Sequence, residues 1–158
     1  MKSNILTITL GFTLLVSANI VAQELETVLF IPSDQSNDYW LSVKKVAPIY
    51  PSRASIKGKM GCATVLYSIE PDGTTSNHRV VVAYPKWLFD RSSIQAAKQF
   101  LYEPSEENIA REAVYTSNTF TYQLLGDNTK SNDEKRENLS DKCTDAANKI
   151  LAEESESE

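Results

Sequence analysis

Apolar and polar positions change period several times along this chain, and each change marks an element. Ala63, Val65, Tyr67 and Ile69 alternate with Thr64, Leu66 and Ser68, the period of a half-buried strand. Pro71-Asp72-Gly73 then forms a turn, because Pro presets φ and Gly takes the left-handed position. A valine-rich run over about Thr75–Ala83 predicts a second strand, which Pro85 ends. Beyond it the period becomes helical. Asp90 or Ser92 caps a helix running to about Leu101, with Phe89, Ser93, Ala96, Ala97, Phe100 and Leu101 on one face. Tyr102-Glu103-Pro104 ends that helix. Alternation returns over about Ala113–Leu124, where Phe120, Tyr122 and Leu124 interleave with Thr119, Thr121 and Gln123. Strand, strand, helix, strand predicts an α+β fold: a small antiparallel sheet with one main helix packed on a face.

The flanks have other patterns. Residues 1–22 combine Lys2, a short apolar core over Ile5–Val16 and small residues ending at Ala18 and Ala22. That is the pattern of a cleaved signal peptide, and it is short for a membrane span, which takes roughly 20 mostly apolar residues. The alternative is an uncleaved anchor in the inner membrane, facing the periplasm. Residues 23–45 are a lead-in, with room for a short edge strand at Val28–Ile31. Residues 46–125 are the compact region, and 126–158 an acidic tail. Within the tail, Leu139, Cys143, Ala146, Ala147, Ile150 and Leu151 recur at helical spacing, so an additional C-terminal helix over 139–151 is expected.

Composition narrows the function. The net charge of −5, with no Lys/Arg-rich patch, argues against nucleic acid. The chain is not expected to be an enzyme and needs no cofactor. Its only histidine, His78, sits where the strand pattern wants an apolar side chain, and reads as partly buried and hydrogen-bonded. There is no second histidine or Cys-x-x-Cys pair for a metal, and no nucleophile elbow. Asp72 and Asp90 suit the turn and the helix cap. The two cysteines, Cys62 and Cys143, are a candidate disulfide in an oxidising compartment. Cys62 lies on the sheet face away from the main helix, so the pair would pin the C-terminal helix to that face. The alternative is two free thiols, one on a mobile tail.

Pro48-Ile49-Tyr50-Pro51, Gly61, Pro71-Asp72-Gly73, Pro85, Phe89-Asp90, Ala96, Phe100 and Tyr102-Glu103-Pro104 follow one another in the order and spacing of the TonB C-terminal domain family. The chain resembles that family over roughly residues 46–124. The resemblance implies a periplasmic protein-binding domain whose partner peptide adds as a strand to a sheet edge. The 113–124 strand is the expected edge, with Tyr50, Tyr102, Thr119, Thr121 and Gln123 as the expected partner-binding residues. A TonB-dependent outer-membrane receptor is the implied partner, in outer-membrane transport. The edge can equally be occupied, by the Val28–Ile31 segment or by a second copy. The competing reading is therefore a structural or regulatory envelope protein, dimeric through that strand.

Departures from the family bear on this. Phe100 stands where the family has tryptophan, and Ala47 where the classical transducer has glutamine. The apolar segment carries no histidine, and no Pro-rich spacer is present. Residues 23–47, fully extended, reach at most about 85 Å. The complete energy-transducing role is therefore not expected of this chain alone.

Overall fold

The computed structural model describes residues 29–124 and 130–155, with the side chains of 137–154 in the last segment. The export segment expected over 1–22 lies outside the described residues. The elements run β1 (Leu29–Phe30), α1 (Ser36–Tyr39), β2 (Trp40–Lys44), α2 (Ser52–Ile56), β3 (Gly61–Ile69), β4 (Thr75–Tyr84), α3 (Asp90–Ala97), β5 (Leu101–Pro104), a 3-10 turn (Glu106–Asn108), β6 (Val114–Tyr122) and α4 (Lys130–Ser155). One sheet has the order β1-β6-β3-β4, and β2 and β5 form a separate antiparallel pair.

β3 is the centre. It pairs antiparallel with β6 from Gly61↔Tyr122 to Ile69↔Val114 and with β4 on its other side. The hairpin to β4 closes through Gly73, whose φ is 82° and whose N–H donates to the Glu70 carbonyl at 2.8 Å. Asp72 accepts from the Thr74 N–H at 2.9 Å, the turn role expected of it. Gly61 opens β3 where space is tightest. A Cβ there would lie 1.9 Å from the Tyr84 carbonyl oxygen and 2.5 Å from the Phe89 ring.

Ala63, Val65, Tyr67 and Ile69 point to one face and pack with Phe89, Ala96, Ala97 and Phe100 from the α3 region and with Phe120 and Tyr122 from β6. The opposite face is covered too. Cys62 and Val82 meet Cys143 and Ala147 of α4, with Leu139, Ala146 and Ile150 of α4 and Val81 and Tyr84 of β4 packed around them. All nine residues of β3 are consequently buried. The half-buried strand expected from the alternation is buried on both faces because a second helix layer is present.

The fold is α+β, as the sequence predicts, with three differences of detail. The sheet is mixed, since β1 joins β6 in parallel. The main helix ends at Ala97 because Leu101–Pro104 is drawn into a ladder with β2. The lead-in is part of the body: Trp40 is fully buried and its indole N–H donates to the Glu112 carbonyl at 3.1 Å.

Several contacts fix α4. Cys143 is disulfide-bonded to Cys62 across 81 residues of sequence, with Cα atoms 6.1 Å apart. The Thr64 hydroxyl donates to the Cys143 carbonyl at 3.3 Å. The Lys142 ammonium sits 4.4 Å from the Tyr84 ring centroid, and Arg79 pairs with Glu154. The apolar stripe itself is thin, since alanines fill much of it. Closing so long a loop limits the unfolded chain strongly, so replacing Cys143 by Ser should cost about 2–5 kcal/mol of unfolding free energy. Denaturant unfolding checks this, and thiol titration of the denatured, unreduced wild type should find no free thiol.

Candidate partner-binding surface

A sheet of this order exposes two edges, and they differ. β4 is broken twice. Val81 is extra between the pairs Thr64↔Val82 and Val65↔Val80, and two residues, Asn77 and His78, stand against the single Tyr67. Asn77 has φ 51°. Bulges twist an edge away from further pairing. β6 keeps one unbroken register with β3 across nine pairs. Among the described residues its outer side is occupied only at its start, where Leu29 and Phe30 lie against Val114 and Tyr115.

The Ile31 N–H donates to the Tyr115 carbonyl at 2.8 Å, so the peptide groups of Tyr115 point away from β3. Direction alternates along a strand. Ser117, Thr119 and Thr121 therefore also present N–H and C=O outward. Pro32 follows Ile31 and the chain turns away there, with the Gln35 N–H closing onto the Pro32 carbonyl at 3.0 Å. Among the described residues no strand pairs with this side of β6 beyond Tyr115. The Asn118 side-chain amide lies 3.4 Å from the Thr119 carbonyl, a long bond that an incoming strand would displace.

The side chains expected to read a partner have diverse places. The Thr119 hydroxyl lies 2.8 Å from that of Thr64 and accepts from Thr144 at 3.0 Å, so it turns to α4 rather than to solvent. Thr121 is on the same face, opposite Cys62 in the register. Gln123 lies just past β6, and its Nε2 is buried without a partner. Tyr50 is half-buried, packs edge-on against Phe89 and Tyr122, and donates to the Lys59 carbonyl at 2.6 Å. Tyr102 is the clear departure. It is only 4% exposed, and its hydroxyl lies 2.7 Å from that of Tyr67. The β2–β5 ladder carries it inside, so it has no surface to offer.

Tyr50 also lines a groove of about 700 Å³ between residues 46–53 and α3. Val46, Pro48 and Leu88 give it an apolar floor, and Arg53 and Arg91 contribute charge. Ile49 beside it is 85% exposed. The sequence offered one signal for this segment: Pro48 and Pro51 hold it extended.

His78 is half-buried, hydrogen-bonds Thr75 at 3.0 Å and stacks on Tyr67. Burial first, then the Lys98 charge, pull its pKa down. Among the described residues no three His, Cys, Asp or Glu side chains gather as a metal site. None of the described helices is long and apolar enough to cross a membrane.

An α+β body with both sheet faces covered and one regular strand edge open has the geometry of a strand-addition module. The chain belongs to the Gram-negative bacterial TonB protein C-terminal family, which matches residues 46–124. It is 31% identical over 87 residues to Protein TonB of Pseudomonas aeruginosa, covering 52% of this chain and 25% of that protein. The chain thus spans a quarter of the length of that relative. The solution NMR structure of the Pseudomonas aeruginosa TonB C-terminal domain shares the fold, with TM-score 0.50 and 22% identity over 61% of this chain and 96% of that one. The TonB2 protein of Vibrio anguillarum is 25% identical with TM-score 0.43, over 78% of this chain and all of that one.

The Tyr67–Tyr102 pair is structural, and two results should show it. Tyr102→Phe leaves the Tyr67 hydroxyl buried without its partner and should cost about 1–3 kcal/mol in denaturant unfolding. Burial raises the pKa of both phenols, well above 10.0 for Tyr67, where the neighbouring Tyr102 adds to the effect. The unfolded chain gives up these protons near pH 10, and the folded chain holds them longer. Their contribution is complete below about pH 10 and is lost as pH rises further, so the urea midpoint should fall between about pH 9 and about pH 11.

Proposed function

We propose that this chain is a TonB C-terminal-type binding domain on the periplasmic side of the cell envelope. It takes an extended segment of a partner protein as an added strand on β6. Outer-membrane receptors of TonB-dependent transport are the proposed partner class. The observation that carries this reading is the asymmetry of the two edges: β6 is regular and, among the described residues, open beyond Tyr115, whereas β4 is bulged twice. Main-chain bonds from Ser117, Thr119 and Thr121 would supply the affinity. Tyr50 and its groove form a second contact surface near the C-terminal end of β6. Thr119 and Thr121 act in this reading through their backbone, because their side chains belong to the α4 interface.

Thr121→Pro tests it. Its N–H points outward, away from the β3 ladder, where an edge strand tolerates proline. Pull-down from envelope extract with the wild-type chain should capture an outer-membrane receptor, identified by mass spectrometry. The folded Thr121→Pro variant should lose it. Recovery of only a second copy, as a stable dimer, would instead establish the structural or regulatory role.

A further inference from the structure

α4 lies beyond the 46–124 segment that the family match covers, and its orientation has a consequence for the open edge. Thr144 touches Thr119 of β6. Lys142, on the other side of the helix, lies over Tyr84 of β4. These contacts fix which side of the helix looks toward β6. Residues seven and three before Thr144, and four after it, share its side. They are Glu137, Asp141 and Asn148, all exposed.

The direction of the helix is fixed as well. Cys143 is bonded to Cys62, which pairs with Thr121. Glu154, near the other end, reaches Arg79, whose partner Leu66 pairs with Ser117. Glu137 and Asp141 therefore stand at the Thr121–Gln123 end of the edge. They are like charges one turn apart, a mildly unfavourable arrangement. No hydrogen bond or ion pair among the described residues engages either carboxylate. A strand added to β6 would lie about 10 Å from β3, two inter-strand spacings away. A helix about 10–12 Å wide over β3 reaches about 5–6 Å to each side, over β6. Its flank ends about one inter-strand spacing short of such a strand, a gap that a long Lys or Arg side chain spans.

We propose that α4 forms one wall of the strand-accepting edge, and that Glu137 and Asp141 select extended peptides carrying Lys or Arg at the alternate positions that face it. This rests on strand addition at β6. The occupant is a basic, β-prone peptide segment; charge complementarity sets its preference, and the backbone of β6 holds it.

The test is fluorescence anisotropy of the full chain with labelled short peptides in which Val alternates with Lys, Gln or Glu, at low salt. The Lys peptide should bind about tenfold more tightly than the Gln peptide, and the Glu peptide more weakly still. The preference should shrink in high salt. Glu137→Gln/Asp141→Gln should abolish the preference and Glu137→Lys/Asp141→Lys should invert it, while Thr121→Pro, which leaves the charges unchanged, should abolish binding of all three peptides. Equal binding of the three peptides, still lost in Thr121→Pro, would overturn the α4 proposal and leave strand addition standing. Lys-peptide binding that survives Thr121→Pro is attraction by charge alone and would overturn both. Absence of binding by every peptide would also overturn both.

Discussion

The burial of β3 on both faces is the constraint from which the rest of this structure follows. A strand with nine buried residues needs a neighbour on each edge and a layer on each face. The edges are β4 and β6. One face is met by α3 and the aromatic cluster around Phe89, Phe100 and Tyr122. The other is met by α4, whose buried residues are small, and there the disulfide holds what a thin apolar stripe would hold less firmly. Polar side chains on that second face are satisfied by it: Thr64 bonds both Thr119 and the Cys143 carbonyl. Ser68, nearer the hairpin, bonds Glu70 and Ser76 instead.

With both faces closed, the only backbone left for recognition in this sheet is at its edges. The chain treats the two edges differently. Bulges and Arg79 mark β4 as an edge that resists pairing. β6 stays regular, and the one described strand on its outer side, β1, stops after two pairs because Pro32 turns the chain away. A parallel strand continuing past Ile31 would have closed the edge. Where β1 stops, the outward peptide groups of Ser117, Thr119 and Thr121 begin.

Elements whose pattern is local were legible in the sequence. The alternation over 63–69 and 113–124, the Pro-Asp-Gly turn and the helix after Phe89 each declare themselves within about ten residues. The C-terminal helix and its cysteine were readable for the same reason, since Leu139, Cys143, Ala146, Ala147, Ile150 and Leu151 share one face. The β2–β5 ladder was not. Trp40–Lys44 and Leu101–Pro104 are short, mixed in polarity and far apart in sequence, so neither shows a period, and only their pairing makes them strands. That omission explains the misplacement of Tyr102. As the end of a helix it belongs on the surface; as the middle of a strand it turns inward to Tyr67. Thr119 and Thr121 were expected to meet a partner through their side chains, but alternation cannot say what covers a face, and α4 covers this one.

In the proposed strand addition, each side of the added strand would meet a different wall. On the α3 side lie Tyr50, Tyr122 and the groove with Arg53 and Arg91. On the other side lies α4, with Glu137 and Asp141 on its β6-facing flank. Because side chains of an extended peptide alternate between these sides, one backbone ladder can be read twice, by walls of opposite charge. The segment shared with the TonB family supplies the ladder and the first wall. The second wall belongs to the sequence after residue 124. Cys62 ties it in place from the first strand of the shared segment, so the position of the added helix, and with it the sign of charge beside the edge, is set covalently by the strand at the centre of the fold.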